Sequence, residues 1–166
     1  AMKNKIKLLV SDLDGTLTDG IFQVSDDTSL TKSFYTNDFY GMEILQNEGI
    51  HVLILTASED NVIDRKIAQL PERYRHKMNL AKGIVDKEAY IKNVVFDEYV
   101  VEAKEIAYIG DGENDIKAME MCGLSACPSD SMKPVFPFAN YVCDAPGGRG
   151  AVYEFVKYIL DNKDRE

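Results

Sequence analysis

The stretch LLVSDLDGTLTDG, Leu8–Gly20, decides how the rest of this chain is read. Leu8, Leu9 and Val10 lead through Ser11 to two aspartates one residue apart, and the chain then enters Gly-Thr. The apolar run is short and does not alternate, as expected of a parallel strand covered on both faces. Two carboxylates at the end of a buried strand repel each other and resist desolvation. Something must offset that cost, and a bound cation is the usual candidate. Gly15 lets the chain leave the strand sharply, and Thr16 caps the turn.

Similar apolar runs recur along the sequence. Strands are expected at Ile6–Val10, Val52–Leu55 and Ile106–Ile109, with weaker ones at Leu124–Cys127 and Tyr141–Cys143. Helical periodicity falls between them at Asp38–Glu48, Asn61–Leu70, Asp86–Glu102, Asn114–Cys122 and Ala151–Leu160. This alternation predicts an α/β fold, a Rossmann-like three-layer sandwich around a parallel sheet of five or six strands. Two segments break the pattern. Residues 20–36 alternate apolar and polar around Ser25-Asp26-Asp27, which predicts a β-hairpin projecting from the sheet. Pro71–Asn79 is basic and aperiodic, and reads as a loop. No repeat or linker divides the chain, so residues 1–166 are expected to form one domain.

Composition narrows the function. The 166 residues are 45% hydrophobic and 28% charged, as in a globular protein, and no apolar run approaches the roughly 20 residues of a membrane span. The N-terminal AMKNKIKLLV lacks the apolar core of a signal peptide. Three cysteines (Cys122, Cys127, Cys143) suit reduced thiols, so a cytoplasmic location is expected. A net charge of −9 gives an acidic surface, which argues against nucleic acid or anionic membranes as partners. His51 and His76 are expected to be structural or exposed.

In an open α/β sheet, ligands sit outside the carboxyl ends of the strands. Here those ends carry Asp12 and Asp14, Thr56 and Ser58, and Asp111 and Asp115. An edge rich in oxygen ligands favours a hard cation, most simply Mg²⁺. Asp12, at the strand end, can act as a nucleophile. Asp14 faces the same way if the backbone stays extended, and can exchange a proton with a leaving oxygen and with water.

DLDGTLTD at Asp12–Asp19 resembles the first motif of the haloacid dehalogenase superfamily. Thr56 in LILTAS, Lys87 in GIVDK and GDGEND at Gly110–Asp115 resemble its later motifs in the required order. The resemblance implies an aspartyl-phosphate on Asp12 and a general acid/base at Asp14. It further implies Mg²⁺ held by Asp12, the Asp14 carbonyl and Asp111, with Asp115 close by, and Thr56 and Lys87 on the phosphoryl group. A lysine just after a helix cap at Asp86 opposes the helix dipole, which favours a functional reason for it. The intervals between motifs are consumed by the hairpin and helices, leaving no room for a cap domain.

The capless branch that this chain resembles comprises the 3-deoxy-D-manno-octulosonate 8-phosphate phosphatases and the sialic-acid-type 9-phosphate phosphatases. The C-terminal domains of animal CMP-sialate synthetases belong with them. LTDG before the hairpin, NDFYGM (Asn37–Met42) and GGRGAV (Gly147–Val152) carry that likeness. It implies a phosphorylated sugar acid as substrate and a homotetramer assembled through the hairpins. Ser58 and Arg149 would contact the substrate, with Arg65 or Lys82 as further cations for a second anionic group. Arg149 could equally hold a subunit interface. Ala57-Ser58, Tyr153 and the basic loop depart from the group's pattern and bear on the organic part of the substrate. A general sugar phosphatase, an idle tetramerisation domain and a phosphorylated receiver domain are the alternatives. The receiver is disfavoured because it carries its phosphorylated Asp on a middle strand.

Overall fold

The computed structural model describes residues 5–162, so the reading of Ala1–Asn4 lies outside the described residues. Six parallel strands form one sheet: β1 (Leu8–Ser11), β4 (His51–Leu55), β5 (Met78–Ala81), β6 (Ile106–Ile109), β7 (Leu124–Cys127) and β8 (Tyr141–Val142). Their order is β5-β4-β1-β6-β7-β8. Leu8 pairs with both His51 and Ile106, so β1 lies at the centre with β4 and β6 on its flanks. The chain winds outward from β1 to β5 on one side and then crosses to β6 on the other. The carboxyl end of β1 therefore lies at the switch point where such folds bind ligands.

The inner strands divide their side chains between two cores. Leu9, Val52, Ile54, Ala107 and Ile109 pack with α1 (Thr36–Asn47), α2 (Val62–Ala68) and α7 (Ala151–Asn162). Leu8, Val10, Leu53, Leu55, Ile106 and Tyr108 face the opposite layer. That layer holds α4 (Lys87–Tyr90), a π turn at Ile91–Val95, α5 (Phe96–Glu98) and α6 (Ile116–Met121). Apolar residues on both faces explain why these strands read as unbroken apolar runs. The three-layer sandwich is as expected, with no cap domain among the described residues.

Two expectations are corrected. Pro71–Asn79 is not all loop: Glu72–Arg75 makes a helical turn (α3), and Met78-Asn79 open the edge strand β5. MNLA lacks a β-branched residue, so no strand signal was present. The Asn79 side-chain Nδ2 donates to the Val52 carbonyl at 3.1 Å, and pairing of Met78 with Val52 fixes the register. The helix expected over Asp86–Glu102 runs only from Lys87 to Glu98. Val100 then adopts φ 53°, a left-handed conformation that ends a helix.

The hairpin is β2 (Gln23–Val24) paired antiparallel with β3 (Leu30–Thr31). Ile21, Phe22 and Val24 are 68%, 46% and 71% exposed, so it shields little of its own apolar surface. From its end the chain enters α1, where Asp38 and Gly41 meet α7. Asp38 Oδ1 accepts from the Tyr153 N–H at 3.0 Å and so caps α7 from a neighbouring helix. A Cβ at Gly41 would lie 3.2 Å from Tyr153 Cα, so the glycine permits this close approach. The spacing in NDFYGM is thus that of a helix–helix contact.

Candidate active site

Asp12 follows β1 directly, and its N–H continues the parallel ladder to the Ile109 carbonyl at 2.9 Å. The chain then turns at once, with the N–H groups of Thr16, Leu17 and Thr18 all donating to the Leu13 carbonyl. Asp14 is therefore carried by a turn and not by an extended strand, which corrects the expected alternation. Gly15, at φ 90°, sits where an added Cβ would collide with the Asp111 carboxylate. Only glycine brings these two loops so close.

The strand-end acids converge. Oxygens of Asp12, Asp111 and Asp115 lie within 4.8 Å of one another. Lys87 Nζ, its side chain fully buried, reaches Asp12 Oδ1 at 2.7 Å and Asp115 Oδ1 at 2.9 Å. The Thr16 hydroxyl lies 3.4 Å from oxygens of both Asp12 and Asp111. Burial pushes the Asp12 carboxyl well above the usual carboxylate range, Asp115 pushes it further, and Lys87 opposes both. Burial also raises Asp111. The Lys87 ammonium, which burial alone would disfavour, is held above its usual range by Asp12 and Asp115. A divalent cation would relieve this crowding, and an all-oxygen donor set suits Mg²⁺.

Asp115 differs from its two neighbours. Its Oδ1 receives Lys87 and the buried Tyr108 hydroxyl, the latter at 2.5 Å, while Oδ2 receives the backbone N–H of Asp111 at 3.1 Å and of Gly112 at 3.0 Å. Four donors occupy it, so its geometry is that of a post for Lys87 and the Asp111 loop. Tyr108 was not singled out in the sequence because a tyrosine in a buried strand reads as core.

Asp14 has separate partners. Its Oδ2 accepts from Lys32 Nζ at 3.0 Å and from the Ser58 hydroxyl at 2.6 Å, and its Oδ1 from Thr18 at 3.2 Å. Lys32 also pairs with Asp60 at 2.8 Å. Burial would lower the Lys32 pKa, but Asp60 and Asp14 more than offset this and raise it. Lys32, like Tyr108, was not singled out in the sequence. It lies in the hairpin, away from every motif, and nothing in its neighbours marks it.

The other expected residues are more dispersed. Thr56 is buried at the end of β4, where its hydroxyl oxygen accepts from the Ser58 N–H at 3.0 Å. Lys82 is taken up by Asn61 at 2.8 Å and Asp64 at 2.6 Å, pinning the start of α2, and Arg65 is exposed on that helix. Arg149 is exposed on the turn before α7 and lines a cavity of about 410 Å³ with Asp19, Ser33, Phe34, Tyr35 and Gly148. None of the strand-end acids lines that cavity, but the turn is wired to the site. The Gly148 N–H donates to the Thr16 carbonyl at 2.9 Å, and a Cβ at Gly147 would strike the Gly15 carbonyl. Neither histidine is near: His51 packs against Tyr99, and His76 meets the Glu72 carbonyl.

Residues 41–123 match the family described as haloacid dehalogenase-like hydrolase. The chain is 30% identical over 155 residues to the 3-deoxy-D-manno-octulosonate 8-phosphate phosphatase of Salmonella typhi, covering 93% of this chain and 79% of that protein. It is 33% identical over 156 residues to N-acylneuraminate cytidylyltransferase A of Danio rerio, covering 93% of this chain and 35% of the relative. The chain thus spans about a third of the length of the cytidylyltransferases it matches. Among solved structures, the 3-deoxy-D-manno-octulosonate 8-phosphate phosphatase of Moraxella catarrhalis, in complex with magnesium ion, phosphate ion and KDO, gives a TM-score of 0.88. Its identity is 28%, with 98% of this chain and 89% of that chain covered.

Proposed function

This chain belongs to the haloacid dehalogenase-like hydrolases, and on that premise we propose that it is a Mg²⁺-dependent phosphatase. Its substrate is the phosphate monoester of a 2-keto-3-deoxy sugar acid of eight or nine carbons. The observation that carries the reading is the Lys87–Asp12 ion pair at the end of β1, with Asp111 beside it. Asp12 is the nucleophile and Asp14 the general acid and base. Thr56 donates to the phosphoryl group, and Lys87 balances charge on nucleophile and phosphate. Asp12, the Asp14 carbonyl and Asp111 would hold the Mg²⁺, which would supply charge neutralisation for the phosphoryl group. Asp115, with all its donors in place, orients Lys87 and the Asp111 loop. Ser58 and Arg149 serve the organic part of the substrate, Arg149 by taking the carboxylate.

The exposed apolar ridge of the hairpin assembles a homotetramer through residues 20–36. Among the described residues no helix is long and apolar enough to cross a membrane. The three buried free thiols fit a reducing, cytoplasmic setting.

Comparative kinetics test the substrate class. kcat/KM for the octulosonate 8-phosphate and nonulosonate 9-phosphates should exceed that for glucose 6-phosphate by at least about tenfold, or about 1.4 kcal/mol. Arg149→Ala should erase most of that preference. Equal efficiency on both sets would leave a general sugar phosphatase, the second reading, which the separation of the Arg149 cavity from the strand-end acids favours.

A further inference from the structure

The hairpin exposes most of its length, yet the Lys32 side chain, next to β3, is fully buried. Its ammonium spans two loops, reaching Asp14 at 3.0 Å and Asp60 at 2.8 Å, with the Phe22 ring 4.6 Å away as a roof. An ammonium is withdrawn from water only where its partners offset the desolvation. A tether for the hairpin would need Asp60 alone. The second contact falls on the carboxylate to which the proposed mechanism gives proton transfer.

Asp14 is held unevenly. Lys32 and Ser58 both bind Oδ2, whereas Oδ1 has only the longer Thr18 contact. We propose that Lys32 is a positioning residue that fixes Asp14 through Oδ2 and leaves Oδ1 to exchange the proton, making the hairpin part of the reaction machinery. The inference rests on the aspartyl-phosphate reading. In the first half-reaction an Asp12 oxygen bonds to phosphorus as the bond from phosphorus to the sugar oxygen breaks. The proton on Asp14 Oδ1 passes to that leaving oxygen. In the second, a water oxygen bonds to phosphorus, its proton returns to Asp14, and the Asp12–phosphorus bond breaks to release inorganic phosphate. Swinging of the Asp14 carboxylate would slow both proton transfers without touching the nucleophile.

Leaving-group dependence tests this. p-Nitrophenolate departs without a proton, whereas a sugar alkoxide needs one. Lys32→Met should lower kcat/KM for the octulosonate 8-phosphate about 100-fold and for p-nitrophenyl phosphate about threefold or less. A pre-steady-state burst of p-nitrophenolate should appear, because hydrolysis of the intermediate is slowed. Lys32→Gln, which keeps volume and a donor, should show the same pattern more weakly and serves if the methionine variant loses its fold. Asp60→Asn loosens the tether but leaves the Lys32–Asp14 contact, so it should lower the melting temperature and keep the wild-type ratio of the two rates. Equal losses on both substrates, no loss on either, or a loss that accompanies dissociation of the oligomer overturns the proposal alone. A wild-type protein active on neither phosphate overturns the phosphatase reading, and the role of Lys32 with it.

Discussion

Asp12 is 7% exposed, and Phe22, ten residues further along, is 46% exposed. The first sits at the end of a central strand, held by its ladder hydrogen bond to Ile109 and by Lys87, which Asp115 in turn orients. The second sits on a ribbon of two-residue strands whose apolar side chains face outward. The contrast separates two tasks. Phosphoryl chemistry needs groups fixed to within a fraction of an ångström, which a six-stranded sheet and two cores provide. Assembly needs a surface that is unsatisfied in the monomer. Lys32 is where the two regions meet, since its backbone belongs to the hairpin and its ammonium to the site.

The hardest test of the rigid centre is Asp12→Asn. Loss of the proposed nucleophile should cut turnover by about 10⁴-fold or more while circular dichroism stays native. Wild-type rates, with deamidation excluded by mass spectrometry, would remove Asp12 from the chemistry. Next in size is the cation. Chelation should abolish activity, and Mg²⁺ at 100 times its Kd should stabilise the wild type by about 2.7 kcal/mol in thermal melts. Asp111→Asn should lose most of that gain, because burial and mutual repulsion of the acids are what the cation relieves. An equal gain in the variant would place the cation elsewhere.

Charging the arm probes the other region. Ile21→Glu with Val24→Glu should convert the proposed tetramer to smaller species by light scattering while the melting of the sheet and its cores changes little. An unchanged mass would mean that the exposed ridge is not the interface.

Asp38, at the joint between hairpin and body, supplies a pH test. Burial lifts its carboxyl to about 6, against the N–H donors at the start of α7. Its ordinary value of 3.8 applies to the unfolded chain, so the folded state binds the proton more tightly. The stability it lends is complete below about pH 3.8 and is lost as pH rises through about 6. Relative to Asp38→Asn, the wild type should therefore lose about 1–3 kcal/mol between pH 4 and pH 8. Parallel stability curves for the two proteins would show that Asp38 is not desolvated. The smallest effect is at the tip. Thr28, a β-branched residue at φ 64°, should gain about 1 kcal/mol locally on substitution by glycine, read as slower exchange of the hairpin amides.

The sequence by itself determined the α/β order and the strand ends that carry the chemistry. It did so because both are local: a non-alternating apolar run means a strand covered on two faces, and acids immediately after it must meet at one edge. It also located the hairpin, whose alternation is equally local. What only the tertiary structure decided depends on partners far apart in the chain. The MNLA segment became strand β5 because β4 offered it a ladder, not through its own propensity. Lys32 lies 18 residues from Asp14 and 28 from Asp60, and no spacing rule joins the three. Lys82 reads as a free cation until Asn61 and Asp64 are seen to occupy it. Asp115 reads only as one more oxygen ligand, and the structure adds that Tyr108, Lys87 and two backbone N–H groups also donate to it. Residue type states what a side chain can bind, but whether that capacity is already spent is set by neighbours that only packing supplies.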